Sequence, residues 1–146
     1  MTRSHLPVLA AVLALLALPP AAAAQEPLKE IVVPPGGNVG QNFSPAIRTG
    51  NLLFVTGQVG AGDDVAAQTR ATLDRIKALV EAGGTTMANV VKCTVFLTDI
   101  ADYAAMNDAY RPYFPEPRPA RSTFQIVSLA GPTSKVEIEC IAVVPD

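Results

Sequence analysis

Near its end the chain carries the segment KVEIECIAVV, in which acidic and apolar side chains alternate. Glu137 and Glu139 occupy one set of alternate positions, and Val136, Ile138 and Cys140 occupy the other. Because successive side chains of a β-strand point to opposite faces, this pattern predicts a strand with one apolar face. An ionised side chain inside such an apolar run is costly unless it is paired or used. The fold must therefore bury one face of this strand and give the two carboxylates a different environment.

Two helices are predicted between the strands. Apolar residues spaced three and four apart follow the capping residues Asp63 and Asp64, and Gly83-Gly84 ends this first helix. Asp99 or Asp102 is expected to cap a second helix that runs to Pro115. Its apolar and aromatic residues recur on one side, which favours core packing; they are Tyr103, Met106, Tyr110 and Phe114.

The predicted strands surround these helices along the chain. The order of strands, helix, strand, helix and strands indicates an α+β sandwich, with both helices on one face of a mostly antiparallel or mixed sheet. The strands are Leu28 to Val33, Ser44 to Arg48, Leu52 to Gly57, Val90 to Thr98, Ala120 to Leu129 and Ser134 to Val144.

The first 24 residues have the pattern of a secretory signal peptide. Arg3 precedes an apolar run, and small alanines lie before a predicted cleavage site at Gln25. The alternative is an uncleaved membrane anchor, which needs about 20 apolar residues without the Pro19-Pro20 interruption. We therefore expect a periplasmic or secreted protein with one domain, residues 25–146, and no stable membrane span after cleavage.

The charge and the single histidine exclude several classes of function. Without the signal peptide, ten basic and thirteen acidic side chains remain, and no basic run is present. Nucleic acid is therefore not an expected partner, since phosphate binding depends on clustered lysine and arginine. His5 lies in the signal peptide, so histidine-based nucleophile systems and the usual histidine-bearing catalytic metal sites are excluded. The chemistry must come from carboxylates, arginine, hydroxyls and backbone groups.

Like Glu137 and Glu139, Arg121 is a charged residue within a predicted strand. Alternation groups it with Thr123, and the apolar set that includes Phe124 is expected to face the helices. Arg121, Glu137 and Glu139 are then predicted to share the opposite face. A contact between subunits that covers this face would leave a partly desolvated cleft. A purely structural arginine-glutamate pair at that contact is the alternative.

Cys93 and Cys140 are both predicted on the helix-facing sides of their strands. A disulfide requires that the strands be neighbours in the right register. Two buried thiols are favoured here, because most strand pairs miss the Cα separation of about 4.4 to 6.8 Å that a disulfide needs.

Several motifs together resemble one known family. PARSTFQIVSL followed by KVEIECIAVV is similar to the C-terminal signature of the Rid family, the YjgF-type enamine/imine deaminases. NLLFVTGQ, DVAAQTRATLDRIKALVEAGG and VFLTDIADYAAMNDAY are similar to earlier segments of the family, so the resemblance covers roughly residues 41–144. It implies a chorismate-mutase-like fold and a homotrimer with clefts between subunits. It also implies hydrolysis of 2-imino or enamine acids, such as 2-iminobutanoate and 2-iminopropanoate, to 2-keto acids and ammonia without a metal or an organic cofactor.

The resemblance also implies roles for individual residues. Arg121 would bind the substrate carboxylate, and Glu137 would hold the attacking water or manage the proton on the imine nitrogen. Asn107, Thr56 and Gly57 would line the same cleft.

Two further cleft positions depart from the pattern of many deaminases of the family. Phe43 replaces a tyrosine, and Thr123 replaces a cysteine. The alternative function is therefore a trimer on the same scaffold that binds small carboxylates or protects proteins without catalysis.

Overall fold

Six strands form one mixed sheet in the computed structural model, which describes residues 28–145. The order across the sheet is β1-β2-β3-β6-β4-β5, and every neighbouring pair is antiparallel except β4 and β5, which are parallel. The predicted signal peptide, residues 1–24, lies outside the described residues. The strands are β1 (Glu30–Val32), β2 (Ala46–Thr49), β3 (Leu52–Gln58), β4 (Val90–Leu97), β5 (Ala120–Gln125) and β6 (Val136–Val143).

Two α-helices pack on one face of this sheet. Helix α1 (Val65–Ala82) lies against β3 and β6 and also contacts α2 (Tyr103–Tyr110). The carboxylate of Asp64 accepts a hydrogen bond of 2.7 Å from the amide of Ala67, which confirms Asp64 as the cap of α1. The predicted α+β architecture, with a mixed sheet and two helices, is confirmed.

Helix α2 is shorter than the sequence pattern indicates. Short 3-10 turns flank it at Ile100–Asp102 and Arg111–Tyr113. Pro112 explains the early end, because its ring lacks an amide proton and clashes with the carbonyl four residues earlier in an α-helix. Of the two predicted caps, Asp99 accepts a hydrogen bond from the amide of Ala101, and the side chain of Asp102 makes no capping bond.

Strand β5 ends at Gln125, four residues before the predicted boundary at Leu129. It is an edge strand whose partner is β4, and β4 itself ends at Leu97, opposite Gln125. The strand therefore stops where its hydrogen-bonding neighbour stops. Val127, in the apolar segment that follows, is exposed.

The register of the strands divides the sheet into two unlike faces. One row of paired residues crosses the sheet under the helices and is buried. It runs from Ala46 through Val55 and Cys140 to Cys93. Cys93 and Cys140 lie directly opposite each other on β4 and β6 and form a disulfide. The expectation of two free thiols is wrong, because the pattern of alternation does not reveal which residues of two strands are paired.

The other face of the sheet, which we call the open face, carries no helix. A row of paired apolar residues crosses it, and half-exposed Ile31 and Phe54 belong to that row; its members are Ile31, Ile47, Phe54 and Ile141. Such a band of exposed apolar surface is typical of a protein contact surface. Within residues 28–145, no helix is long and apolar enough to span a membrane.

Candidate active site

The guanidinium of Arg121 is held beneath helix α2. Its Nη2 donates a hydrogen bond of 3.2 Å to the hydroxyl of Tyr103, and its Cζ lies 4.7 Å from the ring centroid of Tyr110. Its Nη1 lies 3.9 Å from the sulfur of Met106. A cation over an aromatic ring is attracted to the ring's electron-rich face. These contacts fix the orientation of the guanidinium and leave other N–H donors available for a ligand.

Arg121 is on the helix side of the sheet, which corrects the expectation that it shares a face with Glu137 and Glu139. It pairs with Cys93 and so extends the buried row under the helices. Glu137 pairs with Phe96 on the open face. The prediction failed because it assumed that apolar Phe124 faces the core; Phe124 is 53% exposed on the open face.

Glu137 lies on the open face against the backbone of Gly57. A β-carbon at position 57 would collide with the carboxylate of Glu137, so only glycine allows this approach. Desolvation raises the pKa of Glu137, and the nearby charge of Glu139 raises it further. Within residues 28–145 no cation forms an ion pair with this carboxylate. A structural pair with Arg121 inside one chain is therefore excluded.

A shallow concavity of about 320 Å³ adjoins this region on the open face. Thr56 and Glu139 line it, and Glu139 pairs with Thr94 across β6 and β4. Apolar and polar groups share its walls, which also include Ser44, Ile47, Phe54, Lys92 and Ile141. Thr56, Gly57 and Glu137 are thus brought together on one side of the sheet.

A second cleft, which we call the arginine cleft, lies on the other side beside α2 and has a volume of about 310 Å³. Arg121 and Asn107 both line it. Its lining also contains Tyr110, Arg111, Arg118 and Pro119, of which the two arginines were not anticipated. Arg118 lies in a proline-rich segment between α2 and β5 that has no helix or strand periodicity, so the sequence pattern could not predict where its side chain lies.

Two tyrosines beside Arg121 differ in environment. Tyr103 is 42% exposed and is not the core residue that helical spacing indicated. The Asn107 side chain lowers the pKa of Tyr103, as does the neighbouring Arg121 guanidinium. Burial raises the pKa of Tyr110 to about 12 even though Arg121 opposes the shift. The buried hydroxyl of Tyr110 makes no hydrogen bond within residues 28–145.

The remaining candidates are placed less centrally. Thr123 is half-buried and pairs with Val95 on the helix side, two residues after Arg121 on the same strand. Phe43 is 64% exposed in the segment before β2. No group of three or more histidine, cysteine or acidic residues suited to a metal ion occurs among residues 28–145.

Comparisons with known proteins give a consistent picture. Residues 38–144 match the family described as Endoribonuclease L-PSP. The 2-iminobutanoate/2-iminopropanoate deaminase of Escherichia coli is 40% identical over 111 residues, which are 69% of this chain and 86% of that protein. Reactive Intermediate Deaminase A of Arabidopsis thaliana is 39% identical over 108 residues, 68% of this chain, but the match spans only 57% of the plant protein's length.

Solved structures agree with the fold. The YjgF gene product of Escherichia coli superposes with a TM-score of 0.72 at 34% identity, and the comparison covers 78% of this chain and 98% of that one. Rv2704 of Mycobacterium tuberculosis, described as a member of the YjgF/YER057c/UK114 family, gives a TM-score of 0.73 at 34% identity and covers 80% and 99% of the two chains.

The mixed six-stranded sheet with two helices on one face is the fold of the YjgF-like class of α+β proteins. The extent and identity of the matches make the assignment specific. The chain belongs to the Endoribonuclease L-PSP family, also called the YjgF or Rid family.

Proposed function

We propose that the protein is a deaminase that hydrolyses reactive 2-imino and enamine acids, such as 2-iminobutanoate and 2-iminopropanoate, to 2-keto acids and ammonia. One observation carries this proposal: each chain has an oriented guanidinium with free donors, that of Arg121, on one side of the sheet, and a desolvated carboxylate, that of Glu137, on the other. Relatives that are about 40% identical are named as deaminases of this kind, which supports the reaction class.

The reaction site is proposed to lie between protomers of a homotrimer. Arg121 and Glu137 project from opposite faces of the sheet, so one chain alone does not bring them to a single substrate. The apolar row across the open face supports a contact with a second copy of the chain, which would cover Ile31 and Phe54. In such a contact, Glu137 of one protomer faces Arg121 of its neighbour.

Arg121 binds the carboxylate of the substrate in this mechanism. Its planar fork of donors suits a carboxylate, and the contacts to Tyr103 and Tyr110 hold it in place before the substrate arrives. Asn107 lies in the same cleft and offers a further polar contact. The reactive carbon is thereby positioned close to the facing carboxylate, and positioning alone lowers the barrier substantially.

Glu137 acts as the general base and general acid of the hydrolysis. Water forms a new C–O bond to the imine carbon, and the C–N bond then breaks to release ammonia. Glu137 takes one proton from the attacking water and passes it to the imine nitrogen, which gives a carbinolamine. It then takes the proton of the new hydroxyl and passes it to the same nitrogen as the C=O bond forms and ammonia leaves, so the enzyme ends in its starting state. Its raised pKa makes the carboxylate a stronger base than an ordinary glutamate.

Export to the periplasm or the exterior is proposed as well. The chain begins with a signal-like segment, and the buried Cys93–Cys140 disulfide suits an oxidising compartment. The mature domain is then residues 25–146.

Ammonia release from freshly generated 2-iminobutanoate tests the proposed function. Arg121→Ala is expected to lower kcat/KM about ten- to hundredfold, because one charge-assisted interaction with the carboxylate is lost. Glu137→Gln is expected to lower kcat about 100-fold or more. Glu81→Gln, in an exposed ion pair on α1 outside both clefts, is the matched control, and it should change the rate less than about threefold.

One specific outcome would favour the second candidate function. Phe43 and Thr123 lack the hydroxyl and the thiol that many deaminases of the family carry at these positions. If the wild-type protein binds 2-ketobutyrate and releases no ammonia from 2-iminobutanoate, a non-catalytic carboxylate-binding or protein-protecting trimer replaces the deaminase.

A further inference from the structure

The arginine cleft holds more positive charge than one carboxylate needs. Arg111 follows α2 in a 3-10 turn, Arg118 precedes β5, and both line the cleft together with Arg121. Binding of a monocarboxylate requires only Arg121. The two additional guanidinium groups therefore need another explanation.

Each additional arginine has an acidic neighbour, but the pairs are exposed. Arg111 Nη2 lies 3.3 Å from Asp108, with the two side chains 58% and 76% exposed. Arg118 pairs with Glu116, with exposures of 41% and 70%. Exposed ion pairs contribute little free energy, and each leaves most of the guanidinium's five N–H donors unused. The acids also do not line the cleft, so an anion inside it meets positive charge.

We propose that Arg111 and Arg118 make the site selective for 2-imino acids that carry a second carboxylate at the end of a short side chain. This inference rests on the proposed function and names the substrate class of the same cleft. Arg121 binds the carboxylate next to the imine carbon, and Arg118 with Arg111 binds the distal carboxylate. A cleft of about 310 Å³ is at the small end of ligand sites and suits a dicarboxylate of four or five carbons.

The hydrolysis itself is unchanged by the second carboxylate. Water still adds to the imine carbon, ammonia still leaves, and the product is a dicarboxylic 2-keto acid. The distal carboxylate takes no part in bond breaking, so Arg111 and Arg118 act as specificity-determining residues.

Calorimetric titration of the mature protein with two keto acids tests this inference. We expect 2-oxoglutarate to bind about tenfold more tightly than 2-ketobutyrate, as one added charge-assisted contact would produce. Arg118→Gln and Arg111→Gln should each reduce that preference and change 2-ketobutyrate binding less than about twofold, because the monocarboxylate needs only Arg121. Lys77→Gln is the matched control: it removes one cation of an exposed helix pair with Glu81, outside the cleft, and should leave both affinities unchanged.

The outcomes separate this inference from the proposed function. Equal affinities for the two keto acids, or the same loss of preference in Lys77→Gln as in Arg118→Gln, would overturn the selectivity. If 2-iminobutanoate is hydrolysed and the imine formed from glutamate is not hydrolysed faster, the deaminase stands and only the selectivity fails. If neither imine is hydrolysed, the deaminase fails, and the keto-acid titrations still decide whether the arginines select a dicarboxylate.

Discussion

Mixing two impaired variants should restore activity if the proposed site is shared between protomers. Arg121→Ala removes the carboxylate-binding group, and Glu137→Gln removes the group that moves protons. The two residues lie on opposite faces of the sheet, opposite Cys93 and Phe96 respectively, so neither variant can complete a site within its own chain. A cleft is intact only when an Arg121→Ala protomer supplies the glutamate and a Glu137→Gln protomer supplies the arginine.

The expected recovery follows from this geometry. In trimers assembled at random from equal amounts of both chains, each of the two requirements is met with a probability of about one half, so about a quarter of the clefts are intact. A cyclic trimer that contains both kinds of chain always has one intact cleft of its three. Purified mixed trimers should therefore show about a third of the wild-type rate.

Co-expression of the variants with two different affinity tags, followed by sequential purification, yields the mixed assemblies for the ammonia assay. Each variant purified alone should show only its own residual rate, well below that of the mixed trimers. A doubly substituted chain mixed with wild type is the control for co-expression. Its mixed trimers have one intact cleft when they contain two wild-type chains and none when they contain one, so they should show on average about a sixth of the wild-type rate. Absence of any recovery in well-formed mixed trimers would show that Arg121 and Glu137 do not act across a subunit boundary, and a monomeric protein would refute the shared site outright.

Three other outcomes are expected. Gly57→Ala should lower the rate of ammonia release about tenfold or more, since its β-carbon displaces the Glu137 carboxylate; an unchanged rate in a folded variant would contradict that contact. Replacing Cys93 and Cys140 together by alanine should lower the free energy of unfolding in urea by about 4 kcal/mol, because the bridge closes a 47-residue separation; a loss below about 1 kcal/mol would argue against the bridge. Glu137→Gln should raise thermal stability near neutral pH and lose that advantage in acid, because the raised pKa of Glu137 means that the fold favours the protonated carboxyl and loses stability as pH rises through that pKa; a gain that persists in acid would exclude a charge effect.

The alternating segment around Glu137 predicted its own environment correctly. Val136, Ile138 and Cys140 are buried, and the glutamates lie on the other side, because β6 is central in the sheet, with hydrogen-bonded strands along both edges and helices over one face. A central strand with a helix layer on one side obeys the hydrophobic pattern closely.

The same reasoning failed at the edge of the sheet. Strand β5 has one hydrogen-bonding neighbour, so its register with β4 decides its orientation, and Phe124 is left exposed opposite Phe96. The alternating pattern indicates which residues share a face, but it does not indicate which face the helices cover. The pairing of Cys93 with Cys140 and the grouping of Arg118 with Arg121 likewise depend on register and on a turn, neither of which the local pattern contains.

The disulfide also affects what a protease can do to the molecule. It encloses the chain from Thr94 to Glu139, a stretch that includes α2, all of β5 and the exposed loop after it. A single backbone cleavage anywhere in that stretch leaves both fragments covalently joined, and the fragment that ends in the loop keeps the piece bearing β6 attached to it. Outside a reducing cytosol, a nicked molecule would therefore migrate as one species until a thiol reagent is added.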